Sequence, residues 1–340
     1  MKKILHIASN FESAPNKFVP DLERFIANVP DVGNHTFFYF SNNDTDENKY
    51  KVTIASYIKL YKLISESELV VIHTLPVKSA RLILPLIKGK CRYSLSIWGG
   101  EVHFLNSHPK VVRRFILKHL DKFFAKSLDG IITSINDDYN LFCGIHKKNY
   151  TWDGAPVFYP SNTIPEHIMP SSFSEKKYIM IGTSALQRNN HIEVMNNISE
   201  IGYPKNKKIF IPLSYGDFSY ADLVEETAIK LFGEDNLYIE RNFMSLTSYQ
   251  EILNDVCFAI FDTEGQQGLG NIRNMLFLGA KIYLKKDTVA YNLLSKQGFR
   301  VYSADVIDFS PCEFRKQNYE QAKLLYSKES LRESLIKLFN

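Results

Sequence analysis

Apolar and polar residues alternate along the chain in short blocks that predict strands and helices in turn. The run ELVVIHTL (68–75) is almost wholly apolar and predicts a strand that is buried on both faces. The next segment, VKSARLILPLIKG (77–89), repeats its apolar residues at helical spacing. This order recurs to about residue 146 and again from residue 178 onward. The pattern predicts an α/β protein with two doubly wound, Rossmann-like domains.

A segment without periodicity separates the two halves. Residues 153–177 contain four prolines and several serines, which is linker composition. We therefore predict domains at 1–155 and 177–318, a linker at 156–176, and a C-terminal helix at 319–340 that packs back on the first domain. Ligands of such sheets bind at the carboxyl ends of the strands, so two facing domains predict an active site in the cleft between them.

Composition narrows the function. A length of 340 residues fits two domains, and a net charge of +4 does not indicate nucleic-acid binding. The four cysteines lie far apart without metal or redox spacing. No apolar run reaches the roughly 18 residues of a membrane span, and the N-terminus is typical of a first strand, not of a signal peptide. The first strand is not followed by a G-x-G-x-x-G turn, so a dinucleotide cofactor is disfavoured, and we predict no cofactor.

Three turns of the second half have the residues of an anion site. The stretch DTEGQQGLGNIRN (262–274) joins an apolar run to a helix, and the N-terminus of that helix can hold a negative group. The alternative is a tight turn between a buried strand and its crossover helix. The turn IGTSALQRNN (181–190) comes after another strand, and its Asn190 is a candidate helix cap, with Glu193 completing a capping box. A third turn, SYG, comes after the next strand. The predicted donor-binding residues are Gly182, Thr183, Ser184, Arg188, Asn190, Ser214, Tyr215, Gly216, Gln266, Gln267, Gly268, Leu269, Gly270 and Asn271.

The order of strands and turns in the second half resembles the donor half of GT-B glycosyltransferases. The segments IWGGE, IGTSALQRNNHIE, IPLSYGDFSYADLVEETAIKLFGEDN and QQGLGNIRNMLFLGAKIYL resemble the TDP-4-acetamido-4,6-dideoxygalactose transferases of enterobacterial common antigen and O-antigen synthesis. The resemblance implies that the second domain binds a TDP-sugar, with a UDP-sugar as the alternative donor. It also implies that the first domain binds a polyprenyl-diphosphate-linked saccharide. Where many relatives have glutamates beside the glycine turn, this chain has Gln266 and Asn274.

Two residues of the first half are candidates for the general base. Glu101 ends IWGGE, where the resembling family has an acidic residue, and the alternative is an acid that favours a helix N-terminus. His73 ends a predicted strand, and the alternative for it is a hydrogen-bonded structural role. No D-x-D metal motif is recognised, because the DTD within NDTDE lies in a hydrophilic loop. We therefore predict a metal-independent enzyme.

A basic amphipathic helix at 109–126 indicates where in the cell the protein acts. It carries Arg113, Arg114, Lys118 and Lys122 beside several phenylalanines, a pattern of helices that lie on anionic membranes. The alternative is a packed helix with a solvated basic face. Because the resemblance implies a lipid-linked acceptor, we expect a peripheral protein at the cytoplasmic face of the bacterial inner membrane.

Three functions compete at this stage. The first is a glycosyltransferase, the second is a nucleotide-sugar epimerase with a GT-B-like fold, and the third is a noncatalytic sugar-binding module. An epimerase would turn over without an acceptor, whereas a binding module would need neither a diphosphate site nor a basic face.

Overall fold

The computed structural model describes residues 2–10, 18–30, 32–41, 49–103, 111–263 and 268–340, without the side chains of Asn10, His103 and 111–114. The predicted donor residues Gln266 and Gln267 lie outside the described residues. The chain divides into two compact units. Unit 1 comprises residues 1–162 and 328–340, and unit 2 comprises residues 163–327.

Unit 1 is built on a parallel sheet with the strand order β3-β2-β1-β4-β5-β6-β7. All five residues of the central strand β4 are buried, as expected for a strand covered on both faces. The strands are β1 (Lys3–Asn10), β2 (Asn34–Ser41), β3 (Lys49–Lys51), β4 (Leu69–His73), β5 (Arg92–Ser96), β6 (Gly130–Ile132) and β7 (Thr151–Asp153).

Helices cover both faces of this sheet. They are α1 (Phe18–Ile26), α2 (Ile54–Ser65), α3 (Lys78–Ile87), α4 (Gly100–His103), α5 (Val111–Ser127), α6 (Asn136–His146) and the last helix of the chain, which is called α13 below (Lys328–Phe339). Leu5 and Ile7 of β1 point into a core shared with Leu60 of α2, Leu84 of α3 and Phe124 of α5. His6, between Leu5 and Ile7, points to the opposite face because side chains alternate along a strand.

Unit 2 repeats the architecture with a second parallel sheet in the order β10-β9-β8-β11-β12-β13. Every residue of its central strand VCFAIF (256–261) is buried. The strands are β8 (Tyr178–Ile181), β9 (Lys208–Pro212), β10 (Leu237–Glu240), β11 (Val256–Phe261), β12 (Lys281–Leu284) and β13 (Tyr302–Ser303). The helices are α7 (His191–Ile201), α8 (Phe218–Phe232), α9 (Leu246–Asn254), α10 (Leu269–Leu278), α11 (Val289–Lys296) and α12 (Arg315–Tyr326).

The direction in which the strands are added reverses between β8 and β11 of unit 2. From β8 the chain proceeds outward to β9 and β10, and then returns to the other side of β8 as β11. Crossovers on opposite faces leave a crevice at the carboxyl ends of the two strands, where ligands of doubly wound sheets bind. The turn after β8 and the start of α10 both lie at this crevice.

The predicted fold class, two doubly wound α/β units, is confirmed. The tail differs from the single helix that its pattern suggested, because Ser327 is extended (φ −69°, ψ 164°) and separates α12 from α13. Within the described residues, every helix is too short or too polar to span a lipid bilayer.

Candidate functional site

The turn after β8 is shaped by a close contact between a glycine and a histidine. Gly182 has φ +66°, and a Cβ atom at this position would lie 2.4 Å from Nε2 of His191. His191 is fully buried at the first turn of α7, and its Nδ1 lies 3.3 Å from the Tyr220 hydroxyl. Burial lowers the pKa of His191 to about 4, so the imidazole is neutral at pH 7. Only glycine leaves room for this ring and tolerates the backbone conformation.

Asn189 holds the rest of this turn in place. Its buried side-chain amide donates to the carbonyl and the hydroxyl oxygen of Ser184 at 3.0 and 3.2 Å. The predicted cap at Asn190 is wrong, because this residue is left-handed (φ 50°) and its side chain makes no cap hydrogen bond. Its amide donates instead to the Asp262 carbonyl at 2.9 Å and so joins the turn to the carboxyl end of β11.

The third predicted turn is joined to the first by backbone hydrogen bonds. The amide of Ala185 donates to the Tyr215 carbonyl, and the amide of Asp217 donates to the Ala185 carbonyl, both at 2.8 Å. Gly216 has φ +121°, and a Cβ there would lie 2.5 Å from the Ala185 oxygen. Ser214 is half-buried and Tyr215 is exposed. The turns after β8 and β9 therefore form one rigid rim.

Helix α10 begins against the same rim. Gly268 precedes it with φ +70°, and a Cβ on Gly268 would lie 2.6 Å from Cγ2 of Thr183. The first turn of α10 contains no acidic residue, so the partial positive charge of the helix N-terminus is not neutralised within that turn. Asn271 donates its amide to the Tyr249 hydroxyl at 3.0 Å. Leu269 and Gly270 lie in the first turn and are half-buried.

Two arginines near this helix have different environments. Arg188 is exposed beside the rim. Arg273, which the sequence places one turn inside α10, is buried, and its guanidinium carbon lies 4.4 Å from the centre of the Tyr326 ring of α12. Arg273 therefore packs between two helices, whereas Arg188 is accessible to a ligand.

These residues form a candidate anion-binding site within unit 2. The described donor-binding candidates come together from the turn after β8, the turn after β9 and the start of α10. Such a site offers main-chain N–H groups and a helix N-terminus to a phosphate. The first turn of that helix contains no acidic residue that would repel the phosphate. The sequence did not predict a role for Asn189, His191, Tyr249 or Asp262. Their partners lie far away along the chain or in neighbouring turns, so no local spacing of residues indicates these contacts.

Glu101 lies in unit 1 on the short helix α4 and is buried. Its Oε1 accepts a short hydrogen bond from the Thr74 hydroxyl, and its Oε2 accepts from the main-chain N–H of Trp98 at 2.8 Å. Thr74 follows β4 and Trp98 follows β5, so the carboxylate is placed at the carboxyl ends of neighbouring strands. A carboxylate has about four lone-pair positions, so Glu101 can accept a further hydrogen bond in addition to these two.

His73, the second candidate base, is also buried at the end of β4. Both of its ring nitrogens have partners, since Nε2 lies 2.9 Å from Nδ1 of His6 and Nδ1 lies 2.7 Å from the Tyr159 hydroxyl. Burial lowers its pKa to about 3. This environment fits the structural role weighed for His73 above.

Helix α5 has an outer face of the predicted composition. Lys118 and Lys122 are exposed, as are Phe115 and Phe123, whereas Phe124 is fully buried in the core. Asp121, the acid of this helix, is buried against Arg81 in an ion pair of 2.6 Å. Arg113 and Arg114 belong to α5, but their side chains lie outside the description.

A family model for 4-alpha-L-fucosyltransferases, glycosyltransferase group 56, matches residues 28–324. The chain belongs to this family. It is therefore a glycosyltransferase, and the match favours transfer over the epimerase and binding-module alternatives.

Solved structures with the same fold are distant in sequence. HepE from Anabaena in complex with UDP has a TM-score of 0.70 at 8% identity, over 99% of each chain. Sucrose-phosphate synthase from Thermosynechococcus elongatus has a TM-score of 0.67 at 9% identity, over 100% of this chain and 98% of that one. A UDP-forming trehalose-phosphate synthase from Burkholderia xenovorans, with glucose-6-phosphate, has a TM-score of 0.62 at 10% identity, over 100% and 98%. These similarities confirm the GT-B fold expected from the sequence.

Proposed function

We propose that this glycosyltransferase moves a 4-acetamido-4,6-dideoxyhexose from a TDP-sugar to a polyprenyl-diphosphate-linked saccharide in the synthesis of a surface polysaccharide. The observation that carries the proposal is the family match across most of the chain, together with an anion site at the start of α10. Fucose, the sugar of this fucosyltransferase family, is a 6-deoxy sugar and fits a deoxysugar donor, and the resembling segments of the sequence support the acetamido form.

The donor diphosphate would bind at the start of α10. Main-chain N–H groups of Leu269 and Gly270 and the helix dipole would stabilise the negative charge that builds up as the bond to the sugar breaks. Arg188, exposed at the neighbouring rim, would add a positive charge. Of the solved structures with this fold, HepE is in complex with UDP and the trehalose-phosphate synthase is UDP-forming, so a UDP-sugar is the alternative donor.

Glu101 is the proposed general base on the acceptor side. It would take the proton of the acceptor hydroxyl as that oxygen bonds to the sugar carbon and the nucleoside diphosphate leaves. The two hydrogen bonds from Thr74 and Trp98 hold the carboxylate in one orientation. Charge stabilisation by the chain alone is proposed, so the reaction would be independent of metal ions.

A lipid-linked acceptor would require the enzyme to work at a membrane. We propose peripheral attachment at the cytoplasmic face of the bacterial inner membrane through α2, α3 and α5, which cover the same face of the unit 1 sheet. α3 packs against α5, and Tyr57 of α2 donates a hydrogen bond to Ser79 of α3 at 2.8 Å. The exposed apolar side chains of the three helices are Ile54, Ile58, Tyr61, Leu82, Leu86, Phe115, Ile116 and Phe123.

Charge supports an anionic bilayer as the partner. Lys59 and Lys62 of α2 are exposed, as are Lys118, Lys122 and Lys126 of α5. Helices α2 and α3 contain no acidic residue, and the acid of α5 is already paired. Each basic residue near an anionic surface contributes on the order of 1 kcal/mol, and apolar side chains add insertion energy.

Vesicle sedimentation tests the attachment. We expect the protein to bind vesicles that contain anionic lipid at low salt and to leave them at high salt, because salt screens the attraction. A variant with four glutamine substitutions in unit 1 should bind these vesicles weakly. A control variant with four glutamine substitutions at exposed lysines of unit 2 should bind them as the parent does. The first carries changes at Arg113, Arg114, Lys118 and Lys122, and the second at Lys230, Lys286, Lys296 and Lys316. Equal binding by the two variants would exclude α5 as the attachment surface.

A further inference from the structure

A continuous chain of hydrogen bonds crosses the face of the unit 1 sheet that is opposite to α2 and α3. Nε2 of His35 lies 2.8 Å from the carbonyl oxygen of Val32, and Nδ1 of His35 lies 2.8 Å from Nε2 of His6. Nδ1 of His6 lies 2.9 Å from Nε2 of His73, and Nδ1 of His73 lies 2.7 Å from the Tyr159 hydroxyl. We call these four side chains the histidine chain.

The two ends of the histidine chain determine where each proton lies. The carbonyl of Val32 can only accept, so His35 carries its proton on Nε2 and, when neutral, accepts at Nδ1. His6 must then donate from Nε2 and accept at Nδ1, and the same holds for His73. The hydroxyl of Tyr159 therefore donates to His73. In the reverse order, Nε2 of His35 would face a carbonyl oxygen without a proton.

The surroundings keep the three rings neutral. Burial lowers the pKa of His6 well below its ordinary value, and His73 and His35 lower it further because a proton on either ring would repel a proton on His6. The ring of His6 is stacked on Phe37, with centroids 4.4 Å apart. Phe339 of α13 lies edge-on against His6 and His35, so the last helix of the chain covers this end.

The other end of the histidine chain reaches the segment that carries Glu101. Because its own proton points to His73, the Tyr159 oxygen is left to accept from the indole N–H of Trp98 at 3.0 Å and from the Ser96 hydroxyl at 2.9 Å. An indole N–H can only donate, so the direction agrees at both ends. The main-chain N–H of the same Trp98 donates to Glu101 at 2.8 Å.

We propose that the histidine chain is a positioning relay that fixes the Tyr159 hydroxyl, holds Trp98 through it, and so sets the orientation of Glu101. This role for Glu101 rests on the function proposed above. His73 thus acts as a positioning residue that is three hydrogen bonds away from the Glu101 carboxylate. His6 and His35 act through further hydrogen bonds of the histidine chain. Burial and the nearby charge of Glu101 raise the pKa of Tyr159 at one end of the histidine chain, and burial lowers the pKa of His35 at the other end.

The indole proton of Trp98 gives a readout that needs no enzymatic activity. The chain has two tryptophans, and the indole N–H of Trp152 donates to the Thr133 carbonyl, outside the histidine chain. In the proton NMR spectrum, Tyr159→Phe and His35→Leu should both shift the Trp98 indole signal and leave that of Trp152 in place. His35→Gln should restore the parent signal, because an amide can accept from His6 and donate to Val32.

The transfer assay then tests the consequence for Glu101. Tyr159→Phe should lower kcat on the order of 10²-fold, the usual effect of misplacing a reacting group by about 1 Å, with the KM for the donor unchanged. Tyr150→Phe is the matched control, since this buried hydroxyl of unit 1 donates to the Ala125 carbonyl away from the histidine chain. It should keep the parent kcat.

The outcomes separate the relay from the function. An unmoved Trp98 signal in His35→Leu, or nitrogen shifts showing any of the three rings protonated at Nδ1 at pH 7, would overturn the relay. A shifted signal with parent kcat in Tyr159→Phe would overturn its effect on Glu101. Absence of transfer by the parent protein would refute the proposed function, while the indole signals would still decide whether the relay exists.

Discussion

A methyl group added at Gly268 should disturb the start of α10 in two ways. Gly268 is left-handed (φ +70°), which costs an L-residue about 1–2 kcal/mol. The new Cβ would also lie 2.6 Å from Cγ2 of Thr183, and such overpacking typically costs about 1–3 kcal/mol. We therefore expect Gly268→Ala to destabilise unit 2 by roughly 2–5 kcal/mol, or roughly 4–20 °C in Tm for a domain of its size.

Two further variants separate the contributions. Gly202 also has a positive φ (+78°) but with ψ 160°, a region that also disfavours L-residues, and a Cβ there would have no neighbour within 4 Å, so Gly202→Ala should show a backbone cost without a clash. Thr183→Ser removes the clashing Cγ2 atom and keeps the hydroxyl that points at Asn189. The double variant of Thr183→Ser and Gly268→Ala should therefore recover the steric part of the loss and keep only the backbone part.

Calorimetry with and without TDP is the assay. At a concentration of about 100 times its Kd, a ligand of the folded state adds about 2.7 kcal/mol, and we expect Gly268→Ala to lose most of this gain while Gly202→Ala keeps it. An unchanged Tm in Gly268→Ala would contradict both the backbone cost and the clash. A loss in Gly268→Ala that Thr183→Ser does not reduce would contradict the clash with Thr183.

Three other predictions concern catalysis and pH. Glu101→Gln should bind TDP normally and lose transfer by roughly 10²-fold, as measured by sugar incorporation; a parent rate would leave Glu101 a structural residue. A chelator should leave the transfer rate unchanged, and a loss that magnesium or manganese restores would contradict metal independence. The pKa of His73 is lowered from 6.5 to about 3, so as the pH falls the unfolded state binds a proton at this residue before the folded state does. Stability is therefore full above pH 6.5 and declines as the pH falls toward 3, by about 2 kcal/mol for this residue between pH 7 and pH 5. Urea unfolding of His73→Gln should show a smaller decline over that interval, and an equal decline would place the acid sensitivity elsewhere.

The central strands could be predicted from the sequence because β11 is wholly apolar and β4 is apolar except for His73. Every residue of β4 and of β11 is buried, as expected for strands that are covered on both faces. The short edge strands β3, β7 and β13 were not predicted, since two or three residues are too few to show a period. The break at Ser327 was missed because α12 and α13 each continue a helical pattern up to it.

The glycine turns of unit 2 could be predicted because a glycine beside a helix start has a local meaning. The contacts that require those glycines could not, since they join distant segments. Gly182 fits against His191, and Gly268 fits against Thr183. The histidine chain is the clearest case, because its members come from four separate segments and no spacing between them is significant by itself.

The most direct test of the account is a transfer assay with purified protein, labelled TDP-4-acetamido-4,6-dideoxygalactose and a polyprenyl-diphosphate-linked saccharide. We predict that the label moves into the lipid fraction only when the acceptor is present, with release of TDP in equal amount. The same assay with UDP-sugars decides the nucleotide. Label that stays with the nucleotide in the presence of acceptor, or an altered nucleotide sugar formed without acceptor, would contradict the proposed reaction.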